Sequence, residues 1–109
     1  MFKDCTNLNT LDTSTWDMSN VITVFGMFNN AGITELDLSS LDWKKVRDAG
    51  RVFQSMPNCT TIKLPNNLAP ILANHMFYNN SKLTTIEGLD NIDMSKCESI
   101  KSIFYLSNY

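Results

Sequence analysis

The chain has 109 residues, a formal net charge of −2 and 18% charged residues. This length suits one domain, and the charge balance gives no electrostatic basis for binding nucleic acid or an anionic membrane. No apolar run approaches the roughly 18 residues of a membrane-spanning helix, and the N-terminus lacks the basic and apolar regions of a signal peptide. We therefore expect a folded domain that neither binds nucleic acid nor inserts into a membrane.

The three cysteines, Cys5, Cys59 and Cys97, are too far apart in the sequence to form the short motif of a zinc or redox site. Each occupies a position at which other repeats carry a small or apolar residue. We predict that all three are buried and reduced. A single disulfide, or one reactive thiol, is the alternative.

A methionine–phenylalanine pair recurs along the chain and marks internal repeats. Intact and weakened copies of the pair are Met1-Phe2, Met27-Phe28, Val52-Phe53, Met76-Phe77 and Ile103-Phe104. A period of about 25 residues is typical of proteins in which each repeat buries its apolar face against its neighbours. We predict a single repeat domain with units 1–26, 27–51, 52–75 and 76–102 and a partial unit 103–109. The phenylalanines, with Phe28 between Phe2 and Phe53, are expected to stack as a buried spine.

Each unit contains a threonine-rich segment in which apolar and polar residues alternate, as in a short β-strand. The central apolar residues of these segments are Leu11, Leu36, Ile62 and Ile86. Because the segments recur once per unit, we expect the strands to lie parallel in one sheet.

Apolar residues at helical spacing follow each predicted strand, for example Val21, Val24 and Phe28 in the first unit. Plausible helix N-caps precede these segments at Ser19, Asp42 and Ser95, and Ser95 has the capping-box spacing to Glu98. The pattern predicts an α/β solenoid of about four repeats of 24–27 residues, with a curved parallel sheet and short helical segments on the opposite face.

The repeat frame resembles that of BspA-like bacterial surface proteins, which are relatives of the leucine-rich-repeat proteins. The first unit carries the frame as Met1-Phe2, Cys5, Leu8-x-x-Leu11-Asp12, Ser14 and Trp16-Asp17-x-Ser19-x-Val21. The third unit is similar to a sister variant with a Leu-Pro turn, read here from Cys59 to Pro65. The resemblance implies a right-handed leucine-rich-repeat-like solenoid, a location at the cell surface or outside the cell, and roles in adhesion or partner binding. It implies no catalytic residue and no cofactor.

The outer face of the predicted sheet is the candidate binding surface, since side chains alternate along a strand. Its residues are Thr10, Asp12, Glu35, Asp37, Thr61, Lys63, Thr85 and Glu87. Acids in neighbouring strands of this face would repel slightly. The alternative is an ordinary solvated sheet face.

Three further groups of polar residues could serve either a structural or a functional role. Asp17, Asp42 and Asp93 recur at one repeat position, where they could hold a hard cation or cap helices, and capping is favoured. His75 has no nucleophile or orienting carboxylate in a recognisable motif, which predicts a loop or helix-end residue and no enzyme. Asn58 and Asn79 begin Asn-x-Ser/Thr sequences that are interpreted as turns and not as glycan acceptors.

The sequence favours a non-catalytic module that binds a protein or glycan of a host or bacterial surface, without a metal or cofactor. The alternative is a structural spacer or self-assembly segment. That alternative is motivated by the lack of polar caps at either end of the repeats, which would allow copies to associate end to end.

Overall fold

The fold is built around a small parallel sheet and is mostly non-helical. A computed structural model describes residues 2–8 and 10–107. The strands are Glu35–Asp37 (β1), Thr61–Lys63 (β2) and Thr85–Glu87 (β3), in the order β1-β2-β3. The only helix in this part of the chain is a three-residue 3-10 turn at Leu89–Asn91. Four residues that the repeat scheme assigns to the first and last units lie outside the described residues: Met1, Asn9, Asn108 and Tyr109.

The register of the sheet aligns the central residues of the three strands. Leu36 pairs with Ile62, and Ile62 pairs with Ile86. All three side chains are buried, while those of Glu35, Asp37, Lys63 and others on the opposite side face solvent. The predicted strands in the second, third and fourth units, and their inward-facing residues, are therefore confirmed.

The strand predicted around Leu11 is not formed by the described residues of that segment, which are Leu8 and residues 10–12. The first unit reaches β1 through a side chain instead: the hydroxyl of Thr13 donates to the backbone carbonyl of Asp37 over 3.1 Å. The first unit thus bonds to a β1 carbonyl through a side-chain hydroxyl and not through the backbone N–H of a strand.

The helical segments predicted after each strand are wrong, because the backbone there forms tight turns. Residues in the left-handed region flank every copy of the pair after the first, as Gly26 (φ 63°) and Asn30 (φ 59°) do in one turn and Arg51 (φ 56°) and Ser55 (φ 54°) in the next. A residue with positive φ cannot continue a right-handed helix. Ser19, Asp42 and Ser95 therefore cap no helix.

Backbone amides in these turns alternate between two kinds of partner. The N–H of Met27 donates to the carbonyl of Val24 within its own turn, over 3.0 Å. The next N–H, that of Phe28, donates to the carbonyl of Val52, also over 3.0 Å. Every second backbone N–H thus donates to a carbonyl of the next turn. These bonds give the backbone N–H and C=O groups the partners that a helix would otherwise provide.

The predicted phenylalanine spine is confirmed. Successive ring centroids lie 5.6, 6.1, 5.4 and 5.2 Å apart from Phe2 through Phe28, Phe53 and Phe77 to Phe104, with interplanar angles of 20° or less. The three inner rings are fully buried. Ring stacking and backbone bonds thus connect the same turns.

A buried asparagine adds a polar connection to this apolar core. The side-chain carbonyl of Asn80 accepts from the N–H of Met56 over 2.8 Å, and its amide donates to the carbonyls of Phe53 and Phe77. Asn80 is fully buried, so these bonds satisfy groups that would otherwise be costly to bury. Asn80 follows the turn that contains Met76-Phe77, and its side chain ties that turn to the turn that contains Val52-Phe53.

Candidate binding face

The eight residues predicted to face outward lie as follows. Seven are exposed, and Thr61 is half-buried: the set is Thr10, Asp12, Glu35, Asp37, Thr61, Lys63, Thr85 and Glu87. Six of them belong to β1–β3, and the alternation of the strands places these six on one face of the sheet. Thr10 and Asp12 precede Thr13, whose hydroxyl contacts the end of β1. These eight residues are called the sheet face below.

The charges of the sheet face are partly paired. The Lys63 ammonium lies 4.0 Å from an Asp37 carboxylate oxygen and 3.7 Å from a Glu87 carboxylate oxygen. All three side chains are well exposed, so each pair contributes little to stability. The register pairs no two acids across adjacent strands of β1–β3, because Asp37 and Glu87 each lie opposite Lys63. Asp12 and Glu35 keep the face acidic.

Local hydrogen bonds keep two of these carboxylates ionised. The hydroxyl of Ser39, and then its backbone N–H, holds the pKa of Asp37 below its ordinary value of 3.8. The backbone N–H of Ser14, and then its hydroxyl, lowers the pKa of Asp12 in the same way. Both side chains therefore carry a negative charge at neutral and mildly acidic pH, in orientations fixed by their own turns.

Two shallow clefts continue the sheet face beyond the carboxyl ends of the strands, and they meet at Ser39. One cleft contains Asp12, Ser14 and Asp37. The other contains the charged side chains of Lys63 and Glu87, the amide side chains of Asn66 and Asn91, and Leu64 and Gly88. Carboxylates, hydroxyls and amides at such a rim can accept and donate hydrogen bonds to a polar ligand.

The recurrent acids outside the sheet face stabilise turns. Carboxylate oxygens of Asp17, Asp42 and Asp93 accept the backbone N–H two residues further on, over 3.0, 3.0 and 2.9 Å. Capping by these carboxylates therefore occurs, but at turns and not at helices. In the third unit Asn66 pairs with Asp42, which interrupts the row of acids. Within residues 2–8 and 10–107, no group of three His, Cys, Asp or Glu side chains is placed to hold a metal ion.

His75 lies in a turn, as predicted, with φ at 58°. Its ring edge contacts Tyr78, with the centroids 5.0 Å apart. The Nδ1 atom is shielded from solvent and has no hydrogen-bond partner among the described residues. Asn58 and Asn79 are exposed turn residues, and the Asn79 amide donates to the Ser55 hydroxyl over 3.2 Å.

All three cysteines are free. Cys59 is buried, its thiol donates to the carbonyl of Thr61 over 3.4 Å, and burial raises its pKa to about 11. The prediction of burial is confirmed for Cys59 and wrong for Cys5 and Cys97, which are half-buried. The latter two lie near the ends of the described stack, where fewer residues cover them.

Sequence reasoning missed a second aromatic stack. The rings of Tyr78 and Tyr105 lie 5.8 Å apart with an interplanar angle of 23°. The signal was present in the repeats, since each tyrosine directly follows a spine phenylalanine at a position that is polar in the first three repeats.

A family profile described as Mycoplasma protein of unknown function, DUF285, matches residues 1–64. The chain belongs to this family. DUF285 is a surface-repeat-like family, which is compatible with the repeats in the sequence. No curated protein and no solved structure matches the chain. None of the helices in the described residues of this DUF285 protein has the length and apolar character to cross a membrane.

Proposed function

We propose that this DUF285 chain is a leucine-rich-repeat-like solenoid of the BspA-like type, which acts as a non-catalytic binding module. It works at the cell surface or outside the cell and engages a protein or glycan through the sheet face. The observation that carries the proposal is the row of exposed carboxylates, hydroxyls and one ammonium group on paired parallel strands. The division into units 1–26, 27–51, 52–75 and 76–102 is part of this proposal.

The sheet face recognises its partner by holding side chains in fixed positions, and no covalent bond is made or broken. Backbone pairing fixes β1–β3, and the turn hydrogen bonds of Asp12 and Asp37 fix two of the carboxylates. Side chains held in place before binding lose less entropy when a partner arrives. The excess of acids over Lys63 favours a partner that offers cationic or hydroxyl groups.

The test replaces Asp12, Asp37 and Glu87 together by alanine. We expect the variant to fold and to lose at least one of the signals that the unchanged protein gives on an array of immobilised extracellular proteins and glycans. A matched control replaces Asp17, Asp42 and Asp93 by alanine, which removes the same charge from side chains that also anchor turns. Equal binding by both variants would rule out the sheet face.

A structural spacer that self-associates end to end is the second proposal. It is supported by the repetition of one set of contacts, since the ring stacks and backbone bonds recur from Phe2 to Phe104. A second copy could extend contacts of this kind. Sedimentation velocity over a hundredfold range of concentration checks the proposal, and a constant monomeric mass would contradict it.

A further inference from the structure

The residue after each spine phenylalanine lies toward the surface of the turn. In the first three repeats this position holds Lys3, which is exposed, and Asn29 and Gln54, which are half-buried. The last two repeats have Tyr78 and Tyr105 instead. Because polar residues fill the position in the earlier repeats, packing of the core does not require an aromatic ring there.

The two tyrosines form an aromatic platform on the turns. Their rings stack at 5.8 Å, and Tyr105 is 61% exposed. The same position holds amide side chains in earlier repeats, so the tyrosine ring is not needed for the fold. Its apolar face and its hydroxyl are available to a ligand.

Two residues near this platform each have a side-chain polar atom that is unpaired within residues 2–8 and 10–107. Gln54 Oε1 and His75 Nδ1 are shielded from solvent and unpaired among the described residues. His75 touches the Tyr78 ring, and the residue after Gln54, Ser55, donates its N–H to the Tyr78 carbonyl over 2.8 Å. Both residues are partly exposed, so rotation of their terminal torsions can turn these atoms outward.

Asn79 adds a second amide to the same surface. It follows Tyr78 directly, and its Nδ2 donates to the Ser55 hydroxyl over 3.2 Å. Its backbone N–H donates to the carbonyl of Tyr105 over 2.8 Å. Amide, hydroxyl, imidazole and aromatic groups from three successive turns thus meet at one place.

We propose that these residues form a glycan-binding site, called the tyrosine patch: Gln54, Ser55, His75, Tyr78, Asn79 and Tyr105. A sugar ring would pack its C–H face on the exposed aromatic surface. Its hydroxyls would bond the amides and the imidazole, including Gln54 Oε1 and His75 Nδ1, which lack a partner in the described part of the chain. The patch contains no carboxylate, ammonium or guanidinium group, so its ligand is recognised by shape and hydroxyl pattern. This site goes beyond the sheet face and is chemically distinct from it.

The experiment uses saturation-transfer-difference NMR with cellohexaose, chitohexaose and maltohexaose as probes. We expect saturation transfer to at least one of the three. Tyr78→Asn and Tyr105→Asn each introduce the residue that occurs naturally at position 29, and each should weaken binding by about tenfold. Phe25→Ala is the control and should bind the sugar unchanged, because Phe25 is 56% exposed and belongs to neither the sheet face nor the tyrosine patch.

Gln54→Met provides a second test, since it removes the unpartnered oxygen and keeps the side-chain length. It should weaken sugar binding without changing the far-UV circular dichroism of the protein. Absence of saturation transfer from all three sugars would overturn the proposal. Sugar binding that is unaffected by the tyrosine and Gln54 variants, or that is lost in the Phe25→Ala control, would also overturn it.

Discussion

At the scale of single residues, burial separates two phenylalanines that are three positions apart. Phe28 is fully buried and stacks between Phe2 and Phe53, whereas Phe25 is 56% exposed. Both side chains are the same size, and they lie on either side of the boundary between units 1–26 and 27–51. Their contributions to stability should therefore differ according to the surface that each one removes from water.

Phe28→Ala is expected to lower the free energy of unfolding by about 3–5 kcal/mol, because it leaves a cavity in the spine and removes two ring contacts. Urea unfolding followed by tryptophan fluorescence measures this loss. Phe25→Ala is the control and should cost less than about 1 kcal/mol. Similar losses for both variants would contradict the assignment of Phe28 to the spine.

The acids of the turns give a pH dependence that can also be argued residue by residue. Backbone and side-chain hydrogen bonds from the serine two positions on lower the pKa of Asp12, Asp17, Asp37 and Asp93 from 3.8. A lowered folded-state pKa contributes stability that is present above the unfolded value and lost as pH falls through the folded one. We therefore expect the urea concentration at the midpoint of unfolding to decrease once the pH is lowered beyond about 4.

Replacement of these four aspartates by asparagine should flatten that pH profile, because the amide oxygen still accepts the turn N–H but does not titrate. Urea midpoints measured from about pH 6 to pH 2.5 check the expectation. A midpoint that rises on acidification, or a variant profile as steep as that of the unchanged protein, would contradict it.

At the scale of elements, left-handed residues decide that the Met-Phe segments are turns. Gly26 has φ 63°, and a Cβ built there meets no atom within 4 Å. Gly32 has room for no Cβ, since one would lie 2.1 Å from the Thr6 carbonyl oxygen. The backbone conformation at Gly26 favours glycine, although Arg51 and His75 adopt it at the equivalent positions of the next two turns. The close approach of two turns requires the glycine at position 32.

Gly26→Ala should therefore destabilise the protein by about 1 kcal/mol, through the backbone alone. Gly26→Asn should cost less, since asparagine tolerates this conformation and occupies the left-handed position at Asn30. Thermal unfolding of both variants beside Gly32→Ala, which should be the least stable, tests this order. Equal stability of the alanine and unchanged proteins would show that the turn has another conformation.

At the scale of the whole molecule, the same turn contacts recur while the surface residues change from one unit to the next. Ring stacking and alternate backbone bonds join successive turns, and the sheet joins the second to the fourth unit. The sheet face displays acids on strands, and the tyrosine patch displays rings and amides on turns. The two surfaces have different chemistry, so one scaffold can offer two kinds of contact.

The sequence by itself determined the spine, the inward residues of β1–β3 and the interruption of the acid row in the third unit. These features follow from spacing, because a repeated position meets its own copies in adjacent turns. Sequence alone also placed the six sheet-face residues of β1–β3, since alternation in a strand is a local property. The strand predicted to carry Thr10 and Asp12 is not formed by the described residues.

Only the tertiary structure decided that the apolar runs form turns and not helices. Spacing at Val21, Val24 and Phe28 fits a helix, but left-handed residues at Gly26 and Asn30 and bonds to the next turn replace the helical pattern. The Lys63 ion pairs, the burial of Asn80 and the stacking of Tyr78 on Tyr105 depend likewise on residues from different units. The spacing of residues in the sequence identifies equivalent positions of the repeats. Which residues of different units contact one another is fixed by how the turns stack.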